Sequence, residues 1–274
     1  MTAAPTPRLT DTTALARNRA RARDEALFLH RAAAEDMQDR LLLVKRSFTS
    51  PALVTPFPAL WEAVAPGATL AAPEEVLALE PGAHDLVIHA MALHWAADPV
   101  GQLIQSRRAL RPDGLFMSCL FGGQTLAELR ATLAQAEAEV TGGLSPRVAP
   151  MGEIRDLGAL LQRAGFALPV ADSLTLTASY ETPLHLMRDL RAMGEGNALD
   201  ARLRRPTRRA VFTRAAEIYA EHFAGPDGRI TATFEILFLL GWAPDESQPK
   251  PLRPGSASTR LADALNTFEM PLKE

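Results

Sequence analysis

Between Leu27 and Val44 the apolar residues Leu27, Ala34, Met37, Leu41 and Val44 recur at spacings of seven, three, four and three. That is the stripe of an amphipathic helix, and it predicts one long leading helix over residues 14–48. The pattern then breaks. Pro51, Pro56, Pro58, Pro66, Pro73 and Pro81 interrupt short apolar runs, so short strands and turns are expected up to Gly82. A compact apolar strand follows over 85–90, then a loop from Leu93 to Pro99, where Pro99 opens a helix that buries Val100, Leu103, Ile104 and Leu110. Arg111-Pro112-Asp113-Gly114 reads as a turn and 115–121 as a second apolar strand. Strand, helix and strand at this spacing form one βαβ unit, which requires parallel pairing with a right-handed crossover.

Downstream, the periodicity predicts helices over 125–140, over 154–164 with Gly165 as its cap, over 183–193 and over 207–223. Leu174-Thr175-Leu176-Thr177 alternates as a half-buried strand does. Gly225-Pro226-Asp227-Gly228 is a turn before a closing strand over 230–242. A tail with Pro244, Pro249, Pro251 and Pro254 precedes a last short helix over 259–265. The expected fold is α/β and Rossmann-like: a mostly parallel central sheet with helices on both faces, a late antiparallel strand and a helical N-terminal extension. The expected organisation is an extension over 1–48, an α/β domain over 49–245 with a helical insertion at about 183–224, and a Pro-rich tail over 246–274.

Composition narrows the function. At 274 residues and 47% hydrophobic content the chain can bury one sizeable core. A formal net charge of −3 argues against a nucleic-acid binder, which needs a basic balance to neutralise phosphates. The single cysteine, Cys119, excludes an intramolecular disulfide framework and a cysteine zinc cluster and fits a reducing cytoplasm. No run approaches the roughly 18 to 20 apolar residues of a membrane span. Arg17, Arg19, Arg21 and Arg23 hint at a transit peptide, but Asp11, Asp24 and Glu25 interrupt them, and a solvated helix start is the expectation.

The residues Asp85-Leu86-Val87, Leu93-His94-Trp95 and Ala109-Leu110-Arg111-Pro112-Asp113-Gly114 resemble the fourth and fifth strands of class I S-adenosylmethionine-dependent methyltransferases. Gly122-Gly123-Gln124-Thr125-Leu126, Gly142-Gly143-Leu144-Ser145-Pro146-Arg147, Met193-Gly194-Glu195-Gly196-Asn197 and Gly241-Trp242-Ala243-Pro244 are similar to the branch containing the methyltransferase-like assembly factor of respiratory complex I, described as an arginine hydroxylase. More distantly, they resemble the malonyl-carrier-protein methyltransferase of biotin synthesis. The resemblance implies a class I methyltransferase fold, S-adenosylmethionine as cofactor, and, as the leading function, methyl transfer to an unidentified protein or small-molecule acceptor such as an acidic carrier protein or a respiratory-chain subunit. It also leaves open a non-catalytic assembly factor or scaffold, or arginine hydroxylation of a protein.

One segment departs from the family pattern. Where a glycine-rich loop should follow the first strand, this chain has Ala52-Leu53-Val54-Thr55-Pro56-Phe57-Pro58. Prolines lack the N–H groups such a loop offers, and Phe57 fills space. Val54, Thr55 and Phe57 are nevertheless the candidate cofactor contacts, with Glu74 or Glu75 as the ribose acid. His94 and Trp95 are the catalytic candidates, as base or hydrogen-bond partner and as site wall, or else as strand cap and core. Gly122, Gly123, Thr125, Arg130, Met193, Glu195 and Asn197 are the substrate-binding candidates, with helix capping by Gly194 as the competing reading. Arg202, Arg204, Arg205, Arg208, Arg209 and Arg214 form either a docking face for an acidic partner or a solvated helix face. His84, His89 and Cys119 read as structural, and no metal site is expected. Hydrolase, Walker-loop and zinc-protease motifs are absent from the sequence.

Overall fold

A computed structural model describes residues 8–249 together with residues 263, 265, 267 and 268. The chain divides into a unit spanning Met1–Pro244 and a second spanning Asp245–Glu274. The sheet and the site lie in the first. Most of the helix expected over 259–265 falls outside the described residues.

Six strands form one sheet: β1 (Pro51–Val54), β2 (Thr69–Ala71), β3 (His84–Ala90), β4 (Leu110–Phe121), β5 (Ala167–Tyr180) and β6 (Ile230–Trp242). Their spatial order is β2-β1-β3-β4-β6-β5. The β1–β2, β1–β3 and β3–β4 pairs are parallel, whereas β6 runs antiparallel to both β4 and β5. This is the Rossmann-like mixed sheet expected from the alternation of elements, with the late strand inserted antiparallel. The proline-broken stretch explains the stunted edge, because β1 and β2 have four and three residues and only the four-residue α3 (Pro58–Trp61) lies between them.

Central strands carry apolar residues on both faces, as a covered parallel sheet requires. Leu86, Ile88, Met117 and Cys119 join one core, and Val87, Phe116 and Leu120 join another. Among the helices, α2 (Phe28–Leu43) buries Leu29, Ala33 and Met37 completely in the first core. Helices α4 (Pro99–Ala109) and α6 (Ile154–Arg163) supply Leu103, Leu157 and Leu161 to the second. The remaining helices α5 (Ala127–Thr141), α7 (Pro183–Ala192) and α8 (Arg209–Phe223) cover the first face.

Three local expectations change. The leading helix is two helices: α1 (Thr12–Arg19) ends, the chain turns extended at Arg23, and α2 begins at Phe28. The periodic residues lie on and flanking α2, while α1 is held elsewhere by tertiary bonds. Asp11 N–H donates to Ala198 O at 2.8 Å, and Arg23 N–H donates to Ala192 O at 2.8 Å. The turn at Arg111–Gly114 is absorbed as an irregular start of β4. Asp113 takes φ +58°, and its N–H donates to Ala243 O at 3.1 Å. The short strand expected over 174–177 extends through all of β5, since β6 pairs with it from Ala167 to Tyr180.

Candidate functional site

Glu195 is placed by the end of α7. Gly194 adopts φ +88°, its N–H donates to Arg191 O at 3.2 Å, and Glu195 N–H donates to Leu190 O at 2.8 Å. Those two bonds define a Schellman cap, which needs a left-handed residue where glycine sits. A Cβ on Gly194 would also lie 3.2 Å from Arg19 Cα. The capping and the substrate-loop readings are thus one arrangement, because the cap turns the Glu195 side chain inward.

What Glu195 meets comes from the carboxyl end of β3. After Ala90, Met91 takes φ +48° and a single 3-10 turn, Leu93–Trp95, follows. Trp95 Nε1 donates to Glu195 Oε2 at 2.6 Å, and His94 Nε2 lies 3.4 Å from the same oxygen. The His94 and Glu195 side chains are only 1% and 6% exposed. Burial acts to raise the Glu195 carboxyl, but His94, the Arg19 guanidinium and the Trp95 N–H together hold it down to about 2. Glu195 is therefore a buried anion at neutral pH. The His94 ring also packs at 4.9 Å from Phe121, at the end of β4.

Two cationic or polar groups close over this centre from the N-terminal helices. Arg19 ends α1, and its Nε and Nη2 are buried without a hydrogen-bond partner. Its expected place on a solvated helix start is overturned by the docking of α1, where Asn18 Nδ2 donates to Gly196 O at 3.0 Å. His30, on α2, is fully buried. Burial lowers its pKa to about 4, and its Nε2 lacks a partner. His30 also stacks edge-on at 4.9 Å from Phe57.

Beside Glu195 opens a cavity of about 200 Å³. Trp95, Thr125, Glu195 and Asn197 reach it, and its walls are largely apolar, with Leu129 and Leu133 of α5, Met187 and Leu190 of α7 and Phe234 of β6. No residue of β1 or of the loop after it lines this cavity. Other candidates organise it from behind. Gly122 and Gly123 pack against Glu235 and Glu153, where a Cβ would lie 2.5 and 2.3 Å from carboxylate oxygens. Arg130 turns back to Gly123 O and Thr125 O at 3.3 and 3.2 Å. Met193 is wholly buried in the core. Asn197 Nδ2 donates to Pro146 O at 2.9 Å, and Asn197 Oδ1 accepts from Leu199 N–H at 3.0 Å.

The structure thus brings His94, Trp95, Glu195, Thr125 and Asn197 together, while Val54, Thr55, Phe57, Glu74 and Glu75 do not line the cavity and only Phe57 touches the centre's surroundings, through His30. Sequence reasoning missed Arg19 and His30. Nothing in a run of alternating arginines marks the one that turns inward. His89 is structural: Gln102 Nε2 donates to Glu74 O at 2.8 Å, so Gln102 Oε1 faces His89 Nε2 at 2.7 Å and accepts its proton. Among the described residues no group of three or more His, Cys, Asp or Glu is placed to hold a metal ion, and no helix is long and apolar enough to cross a membrane. Half of the expected basic docking face is already neutralised, since Arg202, Arg204 and Arg214 pair with Asp11, Asp200 and Glu139.

No protein-family model matches the chain. It is 41% identical over 198 residues to the mitochondrial arginine-hydroxylase NDUFAF5 of Danio rerio, covering 72% of this chain and 61% of that protein. It is 36% identical over 170 residues to a malonyl-[acyl-carrier protein] O-methyltransferase of Laribacter hongkongensis, covering 62% and 54%. The chain thus spans less than two thirds of the length of these relatives. A putative methyltransferase of Bacillus halodurans of solved structure covers 76% of this chain and is itself covered to 99%, with a TM-score of 0.48 and 12% identity.

The sequence resemblance implies S-adenosylmethionine as cofactor, with its methionine end received by the loop after β1. The residues present do not fit it there. Between Thr55 and Pro58 only Thr55 and Phe57 carry an N–H, and both are engaged, with Ala71 O at 3.3 Å and Thr55 Oγ1 at 3.3 Å. Phe57 abuts His30, and Trp61 behind it is fully buried. Glu74 and Glu75 are exposed; their carbonyls accept from Gln102 and Gln105, and Glu74 N–H donates to Ala72 O at 2.9 Å. Calorimetric titration of the wild-type protein with S-adenosylmethionine and S-adenosylhomocysteine is expected to give no saturable heat. Saturable binding of either would overturn this assignment.

Proposed function

We propose that this member of the class I methyltransferase superfamily binds an arginine side chain of a partner polypeptide in the cavity that ends at Glu195. The carrying observation is an ionised carboxylate, buried and fixed by Trp95 and His94, as the one acidic group on a mostly apolar cavity whose two arginines are Arg147, paired with Glu137, and the exposed Arg191. An arginine matches both features, since its stem packs on apolar walls while its guanidinium pairs with a carboxylate. Similarity to proteins named arginine-hydroxylase supports the same reading. A malonyl group on an acyl-carrier protein, the substrate named for the Laribacter relative, brings no cation to Glu195, which would keep only its contacts with His94, Arg19 and Trp95.

The reading is one of recognition, and it joins the two alternatives open from the sequence, scaffold and arginine-directed enzyme, at one step. A respiratory-chain subunit is one polypeptide of the required kind.

The test is binding of an arginine-containing peptide, followed by calorimetry, beside the same peptide carrying citrulline, which keeps the shape and loses the charge. Saturable binding of the arginine form, blocked by the cavity-filling Met187→Trp, is expected. Equal affinity for the citrulline form would sink the reading.

A further inference from the structure

We propose that the mouth of this cavity selects an arginine set among acidic residues, a specificity that rests on the arginine-binding reading above. A groove of about 570 Å³ opens beside the cavity and shares Arg191, Gly196 and Asn197 with it. Arg21, Arg23, Arg188 and Arg191 line the groove, and no acidic residue does. All four are exposed. Among the described residues Arg21, Arg188 and Arg191 have no carboxylate within ion-pair distance, and Arg23 has only a solvent-exposed contact with Glu25 at 3.5 Å.

The grouping follows from the same docking that builds the site. Arg188 and Arg191 stand three residues apart near the end of α7 and share a face. Arg21 and Arg23 lie on the turn between α1 and α2, and the bond from Arg23 N–H to Ala192 O fastens that turn to the end of α7. In a chain whose net charge is −3, four exposed arginines in one concavity, three of them without a carboxylate partner and the fourth only loosely paired with Glu25, make a local positive field that average composition hides. A concave wall of one sign concentrates opposite charge and accelerates its arrival.

An isolated cationic side chain that enters the cavity past the shared Arg191, Gly196 and Asn197 meets these arginines, and they repel it. Acidic residues on either side of the entering arginine remove that repulsion and gain charge-assisted hydrogen bonds along the groove. The groove and the cavity thus read different parts of one segment. The polypeptide implied is acidic around a single arginine.

The experiment uses the full chain and fluorescence anisotropy with three labelled peptides: an arginine flanked by Asp and Glu, the same arginine flanked by Ser, and the acidic peptide with norleucine in place of arginine. The acidic-flanked arginine peptide is expected to bind about tenfold tighter than the Ser-flanked one, with the advantage lost at about 0.5 M salt. The Arg188→Ala variant, and independently Arg21→Ala/Arg23→Ala, should each cut that advantage while leaving the Ser-flanked peptide within about twofold, since none of these three residues lines the cavity. All three substitutions are at exposed positions, and circular dichroism checks the fold.

Equal binding of the two arginine peptides, or an advantage that survives both variants, overturns the groove proposal and leaves the cavity reading intact. Equal binding of the acidic peptides with and without arginine instead removes the cavity reading, and the combined specificity with it. Displacement of the acidic peptide by a single-stranded oligonucleotide at equal phosphate and carboxylate concentration would overturn the choice of a polypeptide.

Discussion

Glu195→Gln is expected to abolish capture of the arginine peptide and to destabilise the protein by roughly 3 kcal/mol, the scale for removing one partner of a buried charged pair. The substitution keeps the volume and leaves an amide oxygen for the Trp95 N–H, which donates to Glu195 Oε2 at 2.6 Å. What disappears is the charge opposite His94 and near Arg19, whose Nε and Nη2 are already without hydrogen bonds. Urea denaturation of the variant, and of Glu195→Gln combined with Arg19→Met, separates the two consequences. Replacing Arg19 by an apolar side chain of similar length removes the stranded cation, so the double variant should recover part of the stability and none of the binding. A single variant as stable as the wild type would mean that Glu195 is not electrostatically coupled to its neighbours.

Acidification should unfold the protein earlier than its carboxylates alone dictate. His30 and His89 are fully buried, and burial lowers both to about 4, against about 6.5 for a free imidazole. Below pH 6.5 the unfolded chain takes up protons that the folded one refuses, so stability falls as pH drops from 6.5 towards 4 and is fully present above 6.5. The loss is at most about 3 kcal/mol for each histidine at the lower end. Glu195 continues the trend at lower pH, because its depressed carboxyl contributes stability present above about 4.5 and lost as pH falls towards 2. Thermal melts at half-unit pH steps measure the slope. His89→Gln should flatten it between pH 6.5 and 4, and an unchanged slope in that variant would show that His89 is not the group resisting protonation.

Both predictions concern residues whose partners are far away in the chain. Glu195 and Trp95 are 100 positions apart, and Arg19 reaches the same centre from α1. Periodicity, caps and turn residues act over a few positions, which is why β3, α4, α6 and β6 could be read almost to the residue. The same logic located the proline-broken stretch and found in it no glycine loop for a cofactor.

The burial of Arg19 could not be read in this way. Its neighbours Arg17, Arg21 and Arg23 are chemically identical to it, and only the docking of α1 on the loop through Gly196 separates the one that faces inward from those that remain outside. The same holds for the basic cluster from Arg202 to Arg214: a charge run looks alike whether or not distant carboxylates neutralise it, and Asp11 and Glu139 settle that for three of its members. Gly194 shows the two levels meeting. Its identity marks a helix end from sequence alone, because glycine tolerates positive φ. That the cap then aims Glu195 at Trp95 depends on where β3 ends in space, and this is set by packing between elements that local pattern does not encode.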